Sequence, residues 1–218
     1  MFEQSLYAAA TRVTVGRRTM LKLAATGSAG LAFLPRALAQ NAKAPPKPEN
    51  VLSPDAALER LMNGNVRYVQ GVSKRHDFSH EREPLRTGQN PFAAVLSCAD
   101  SRIAPEYCFD TARGDIFVCR VAGNFASDEI VASLEYAVQV LNTPLIMVLG
   151  HDACPAVKAV QGESGDMLDN AIRRNVILNV EKLKTTGPIL TTFVDNKKVR
   201  IVGGIYKMAS GRVEPLLV

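Results

Sequence analysis

Phe92-Ala93-Ala94-Val95-Leu96-Ser97 runs apolar and then breaks into Cys98-Ala99-Asp100-Ser101-Arg102, and Leu145-Ile146-Met147-Val148-Leu149-Gly150 does the same before His151-Asp152-Ala153-Cys154. Short, continuous apolar runs of this kind suit the strands of a parallel sheet covered on both faces. Asp115 to Arg120 and Val199 to Tyr206 read the same way. Helical patterns fill the intervals. Ser127 is placed to cap a helix with Ile130, Leu134, Val138 and Leu141 on one apolar face, and Asn142-Thr143-Pro144 stops it. Asp166 is placed to cap another, carrying Leu168, Ile172, Val176, Val180 and Leu183 and ended by Gly187-Pro188. The alternation predicts an α/β domain with a mainly parallel central sheet and flanking helices, free of internal repeats.

Upstream of the first strand, Ser53-Pro54-Asp55 offers an N-cap with proline at the first helical position. Leu58, Leu61, Met62, Val66 and Val69 follow at roughly helical spacing, so a first helix is expected there. Residues 71–90 are polar and punctuated by glycine and proline, and read as a long surface loop in which His76 and His80 are solvated. Gln40 to Asn50, with Pro45, Pro46 and Pro48, reads as a flexible linker.

The N-terminal stretch has a different character. Arg17-Arg18-Thr19-Met20-Leu21-Lys22 precedes a mildly apolar run, Leu23 to Leu34, and then Ala37-Leu38-Ala39. That order is the pattern of a twin-arginine export signal cleaved after Ala39. A transmembrane anchor needs about 20 continuous apolar residues, whereas Thr26, Gly27, Ser28 and Gly30 interrupt this run, so no stable membrane anchor is expected. The expected organisation is therefore a signal peptide over 1–39, a linker over 40–52 and one domain over 53–218, delivered to the periplasm by the twin-arginine machinery. The net charge of +5 comes largely from the leader: five basic residues lie before residue 40 against Glu3 alone, leaving 21 basic and 20 acidic residues. A nearly neutral body offers no nucleic-acid surface.

Sheets of this class place ligands at the carboxyl ends of their strands, where this sequence places its reactive side chains. Cys98, His151 and Cys154 supply two thiolates and an imidazole from two strand ends, the soft and borderline donors that zinc prefers. Three protein ligands leave a fourth position for water or substrate. Burial as small hydrophobes would account for the cysteines singly, and a disulfide would suit an exported chain with four of them. The metal accounts for three residues at two strand ends, together with the adjacent Asp100 and Arg102. Cys108 and Cys119 lack such company and read as packing residues.

Cys98-x-Asp100-x-Arg102 with His151-x-x-Cys154 resembles the zinc signature of the β-class carbonic anhydrases. Gly88-Gln89-Asn90-Pro91, Phe109-Asp110, Gly114-Asp115, Ala122-Gly123-Asn124 and Leu134-Glu135-Tyr136 extend the resemblance over most of the chain after the linker. The resemblance implies interconversion of carbon dioxide and bicarbonate at zinc. Asp100 would orient the nucleophile, and Arg102 would pair with Asp100 and keep it from the metal. Gln89 would donate to a bound bicarbonate-like anion, often across a dimer interface, and Phe117 with Tyr136 would form an apolar wall. It also implies a homodimer or a higher homo-oligomer.

Two features depart from the family pattern. Pro155 stands where the family has a glycine after the second cysteine, and it has no backbone N–H to offer an anion. The chain is also shortened after residue 160, passing through Gly162-Glu163-Ser164-Gly165 almost directly into the next helix. Two further readings stay open on these grounds: a zinc-stabilised interaction protein of impaired turnover, and a hydrolase of a carbon dioxide analogue.

Overall fold

The computed structural model describes residues 44–161 and 165–216; the expected signal peptide and residues 162–164 lie outside the described residues. Four parallel strands and one antiparallel strand form a single sheet in the order β2-β1-β3-β4-β5. The strands are β1 (Ala93–Ser97), β2 (Ile116–Arg120), β3 (Leu145–His151), β4 (Arg200–Tyr206) and β5 (Val213–Leu216). The helices, in chain order, are α1 (Pro54–Val69), α2 (Arg82–Leu85), α3 (Pro105–Cys108), α4 (Asp128–Gln139), α5 (Pro155–Gln161), α6 (Asp166–Thr185) and α7 (Pro188–Asp195). β5, α2, α3 and α7 were not anticipated by the sequence pattern; the four expected strands lie within a residue of their expected bounds. No helix among the described residues is long and apolar enough to cross a membrane.

Every residue of β1 and β3 is buried, as expected of central strands covered on both faces. Side chains alternate between two cores. Leu96, Ile146 and Val148 pack with Val131, Leu134 and Val138 of α4 and with Ile172, Val176, Val180 and Leu183 of α6. Val95, Leu145, Met147 and Leu149 face the other way, onto Ala57 and Leu61 of α1, Cys108 and Phe109.

Several helix details differ from expectation. Val66 and Val69 of α1 are exposed, and the buried face is Ala57, Leu61, Gly64 and Asn65. The polar Asn65 is buried because it is fully used. Its Nδ2 donates to the Cys108 carbonyl (3.0 Å) and the Gly211 carbonyl (2.8 Å), and its Oδ1 accepts from the Val213 N–H (2.8 Å). Ser53 does cap α1, its Oγ accepting from the Ala56 N–H. Ser127 makes no such bond and donates instead to Glu129 Oε2 (2.9 Å). Asp166 is the first residue of α6, preceded by Gly165 at φ +60°.

The expected linker is docked from Ala44 onward rather than free. Lys47 exchanges two hydrogen bonds with Asn90 (3.0 and 2.7 Å) and ion-pairs with Asp115, while Asn50 is buried and also donates to Asp115 (3.2 Å). Pro48 opens a single 3-10 turn, Pro48–Asn50, on the body of the domain. In the 71–90 segment His80 is exposed, but His76 is half-buried, 3.8 Å from both Glu81 and Asp110.

Cys108 and Cys119 are buried and free, as expected. Burial pushes the Cys108 thiol up from its ordinary 9.0 to about 12 and the Cys119 thiol to about 11. A raised thiol pKa stabilises the fold fully below the unfolded value and progressively less as pH rises through the folded one. Urea midpoints are therefore expected to fall between pH 9 and pH 12, and to fall less steeply in Cys108→Ala. Parallel slopes in the two proteins would remove Cys108 as the cause.

Candidate metal centre

β1 and β3 lie side by side, with β2 beyond one and β4 beyond the other, so chain direction across the sheet reverses between them. The carboxyl ends of such a pair diverge into a crevice. Cys98 follows β1, His151 ends β3, and Cys154 sits just before α5. Their ligating atoms all lie within 4.8 Å of one another, the two sulfurs 3.9 Å apart, and all three residues are at most 2% exposed. The sulfurs are free, so no disulfide joins them. Among the described residues this is the one cluster able to hold a metal ion.

Each ligand is aimed by its surroundings. His151 Nδ1 lies 2.9 Å from the Asp152 carbonyl, which can only accept, so Nδ1 carries the proton and Nε2 presents a lone pair. Burial holds the imidazole below its ordinary pKa, keeping it neutral. Nε2 is buried and has no hydrogen-bond partner, a cost that coordination of a cation would remove. The turn after His151 is pinned to β4 and the residues after it. Asp152 N–H donates to the Tyr206 carbonyl (3.1 Å), and Asp152 Oδ1 accepts from Met208 N–H (2.9 Å). Ala153 then takes φ +50°, which swings Cys154 back toward Cys98.

The two sulfurs face backbone donors. Asp100 N–H and Gly123 N–H lie 3.4 and 3.3 Å from Cys98 Sγ. Burial, together with the nearby Cys98, raises the Cys154 thiol in the metal-free chain, while the amides of Val157 and Ala156 pull it down. A divalent cation between the sulfurs would turn that opposition into attraction. Two thiols with waiting amide donors and one orphaned imidazole nitrogen fit a borderline cation such as zinc.

Asp100 and Arg102 are paired as expected. Arg102 Nε and Nη2 reach the two Asp100 carboxylate oxygens at 3.0 and 2.6 Å, and Arg102 N–H adds a third bond at 2.9 Å. These bonds hold Asp100 well below the usual carboxylate range. Asp100 Oδ2 remains 3.8 Å from His151 Nε2, facing the ligands without joining them. Arg102 is further fixed by the Ala153 carbonyl at 3.3 Å.

The other expected site residues lie farther out. Phe117 on β2 and Tyr136 on α4 form a tilted ring pair, centroids 6.3 Å apart, with Tyr136 41% exposed. Gln89 is exposed and precedes β1, at the opposite end of that strand from Cys98. Pro155 occupies the first position of α5, where a missing N–H costs no helical bond, and the amides that reach Cys154 belong to the next two residues. Arg120 had not been singled out. It donates to the carbonyls of Cys98 (3.0 Å), Asp100 (2.7 Å) and Ile103 (2.9 Å), stitching the ligand loop to the end of β2.

A family model described as carbonic anhydrase matches residues 93–174. The chain is 47% identical over 191 residues to a carbonic anhydrase of Mycolicibacterium smegmatis, covering 74% of this chain and 93% of that one. It is 46% identical over 115 residues to carbonic anhydrase 2 of Mycobacterium tuberculosis, covering 52% of this chain and 56% of that one, so it spans little more than half of that relative's length. Among solved structures, the β-carbonic anhydrase CcaA matches with a TM-score of 0.58 at 26% identity, covering 72% of this chain and 94% of that one. A tetrameric β-carbonic anhydrase of Sordaria macrospora matches with a TM-score of 0.58 at 21% identity, a likeness of fold.

Proposed function

Since this chain belongs to the β-class carbonic anhydrase family, we propose that it is a zinc enzyme converting carbon dioxide and water into bicarbonate and a proton, reversibly. The observation that carries the reading is the buried His151 Nε2, partnerless and facing two free cysteine sulfurs, with Asp100 held beside it by Arg102. Cys98, His151 and Cys154 would hold the zinc, which would act as a Lewis acid that lowers the pKa of water towards neutrality. Asp100 accepts the hydrogen bond that orients the nucleophile, and Arg102 keeps that carboxylate ionised and away from the metal position. Carbon dioxide is uncharged and needs little polar recognition, so an apolar wall from Phe117 and Tyr136 suffices. Gln89 would reach a bicarbonate only from a second copy, which supports a homodimer or larger homo-oligomer; sedimentation of a single-chain mass would overturn that.

The Arg17-Arg18 pair and the Ala37-Leu38-Ala39 cleavage pattern support export to the periplasm, with metal acquired before translocation. Cell fractionation that leaves the mature chain in the cytoplasm would contradict it. The central test is stopped-flow carbon dioxide hydration by the zinc-loaded protein, with Pro155→Gly alongside. Turnover in the parent, changed less than about threefold by Pro155→Gly, is expected, because proline at this helical position removes no bond made to Cys154. An inactive parent that still holds zinc would favour an interaction protein, and rescue by Pro155→Gly would locate the defect.

A further inference from the structure

Neighbouring residues of α6 reach the His151 strand directly and the Cys98 sulfur through the Gly123 loop. Val176 packs over Gly150, the residue before His151, so closely that a Cβ there would sit 2.6 Å from Val176 Cγ2. Asn175 Nδ2 donates to the Gly123 carbonyl (2.9 Å), and Gly123 N–H in turn donates to Cys98 Sγ (3.3 Å). Two more residues on the same face continue the contact. Asn179 Oδ1 accepts from Ala126 N–H (2.7 Å), and Lys182 Nζ donates to the Ala126 carbonyl (2.5 Å).

The chemistry of this ladder gives it a direction. Ala126 N–H can only donate, so it fixes Asn179 with its oxygen toward the loop. Asn179 Nδ2 is then committed to Asn175 Oδ1 (3.0 Å) and the Asn175 carbonyl (2.7 Å), which leaves Asn175 Nδ2 pointing at Gly123. Both carboxamides are buried, 8% and 7% exposed, among Ile172, Val176, Val180 and Leu183. Covering the loop alone would be served as well by apolar side chains; polar groups buried here need the partners they have. Gly123 sits at φ +80°, with its N–H and its C=O in the two peptide planes that flank one Cα, so anchoring the carbonyl restrains the turn that presents the amide.

We propose that Asn175 is a positioning residue for the metal centre: by holding the Gly123 carbonyl it aims the Gly123 amide at Cys98 Sγ, and so strengthens retention of the metal. Asn179 and Lys182 hold Asn175 and the loop in that arrangement. This inference rests on Cys98 being a metal ligand. Hydrogen bonds to ligating atoms are worth about 10–100-fold in metal affinity.

The test uses the full chain loaded with cobalt(II), whose thiolate charge-transfer band reports on the sulfur, and with zinc for release to a chelator. Asn175→Leu is expected to shift the cobalt band to lower energy and to speed zinc release about tenfold. Asn179→Leu, which removes the group that orients Asn175 and the bond from Ala126 N–H but leaves Asn175 itself in place, is expected to move both readouts less and in the same direction. Val180→Ala, a core truncation one turn away on α6, is expected to lower thermal stability while leaving the band in place. An unmoved band in both asparagine variants, with release no faster than in Val180→Ala, overturns the proposal and leaves the metal centre standing. A parent chain that takes up neither metal overturns both.

Discussion

His151→Ala is expected to abolish tight zinc binding and to reduce carbon dioxide hydration by about a thousandfold or more, equivalent to ~4 kcal/mol of transition-state stabilisation. The imidazole is fully buried, its Nδ1 is committed to the Asp152 carbonyl, and its Nε2 has no partner but the metal position. Alanine leaves two sulfurs 3.9 Å apart with no third donor, in a setting where burial already disfavours the Cys154 thiolate. Metal analysis after a chelator wash should find less than about a tenth of an equivalent of zinc, since ligand count governs retention. Cys98→Ser should behave similarly, because a hard hydroxyl replaces a soft sulfur that two amides already face. Circular dichroism separates loss of the ion from loss of the fold. A His151→Ala protein that keeps stoichiometric zinc and full turnover would remove the three-residue centre from the mechanism.

That centre could be read from the sequence because parallel strands end abruptly where buried apolar residues give way to polar ones, and the ligands sit at those breaks. β1 and β3 are buried throughout, so hydrophobicity alone located them to within a residue. Elements at the margin were harder. β5 carries Val213-Glu214-Pro215-Leu216, a short edge strand with proline and one charge, and shows no strong apolar run. α7 begins at Pro188 itself, inside the Gly187-Pro188 pair that stops α6, so a stop signal also hid a restart. The buried face of α1 was misassigned toward Val66 and Val69, because Gly64 and Asn65 look like poor core residues in isolation. Their burial follows from contacts to backbone groups more than forty positions away, which no local pattern contains. The supporting parts of the site were illegible for the same reason. Arg120, the Gly123 amide and the turn at Ala153 act through backbone carbonyls, backbone N–H groups and a positive φ, none of which has a residue-type signature.

Gly64→Ala is expected to destabilise the protein by about 3–5 kcal/mol, against the ordinary rule that alanine stabilises a helix over glycine by roughly 0.5–1 kcal/mol. A Cβ at Gly64 would stand 1.8 Å from the Phe109 carbonyl oxygen and 2.7 Å from its carbon, both main-chain atoms that no rotamer change can move. α1 would have to retreat. Retreat stretches the three Asn65 bonds to Cys108, Gly211 and Val213 and the Arg67–Asp110 ion pair at 2.6 Å, leaving buried backbone groups unpaired. It also lifts Ala57 and Leu61 from the core beneath the sheet. Asn63→Ala, at the exposed neighbouring position, should change stability by less than about 0.5 kcal/mol. Urea midpoints of the three proteins measure the effect, and a Gly64→Ala protein as stable as its parent would mean that α1 does not approach Phe109 this closely. Repeating the series with and without zinc locates the damage. The metal centre is built from the carboxyl ends of β1 and β3, so zinc should raise the stability of parent and Gly64→Ala by equal increments if the retreat of α1 stops short of those ends. A smaller increment in the variant would show that packing beneath the sheet sets the spacing of the ligands above it.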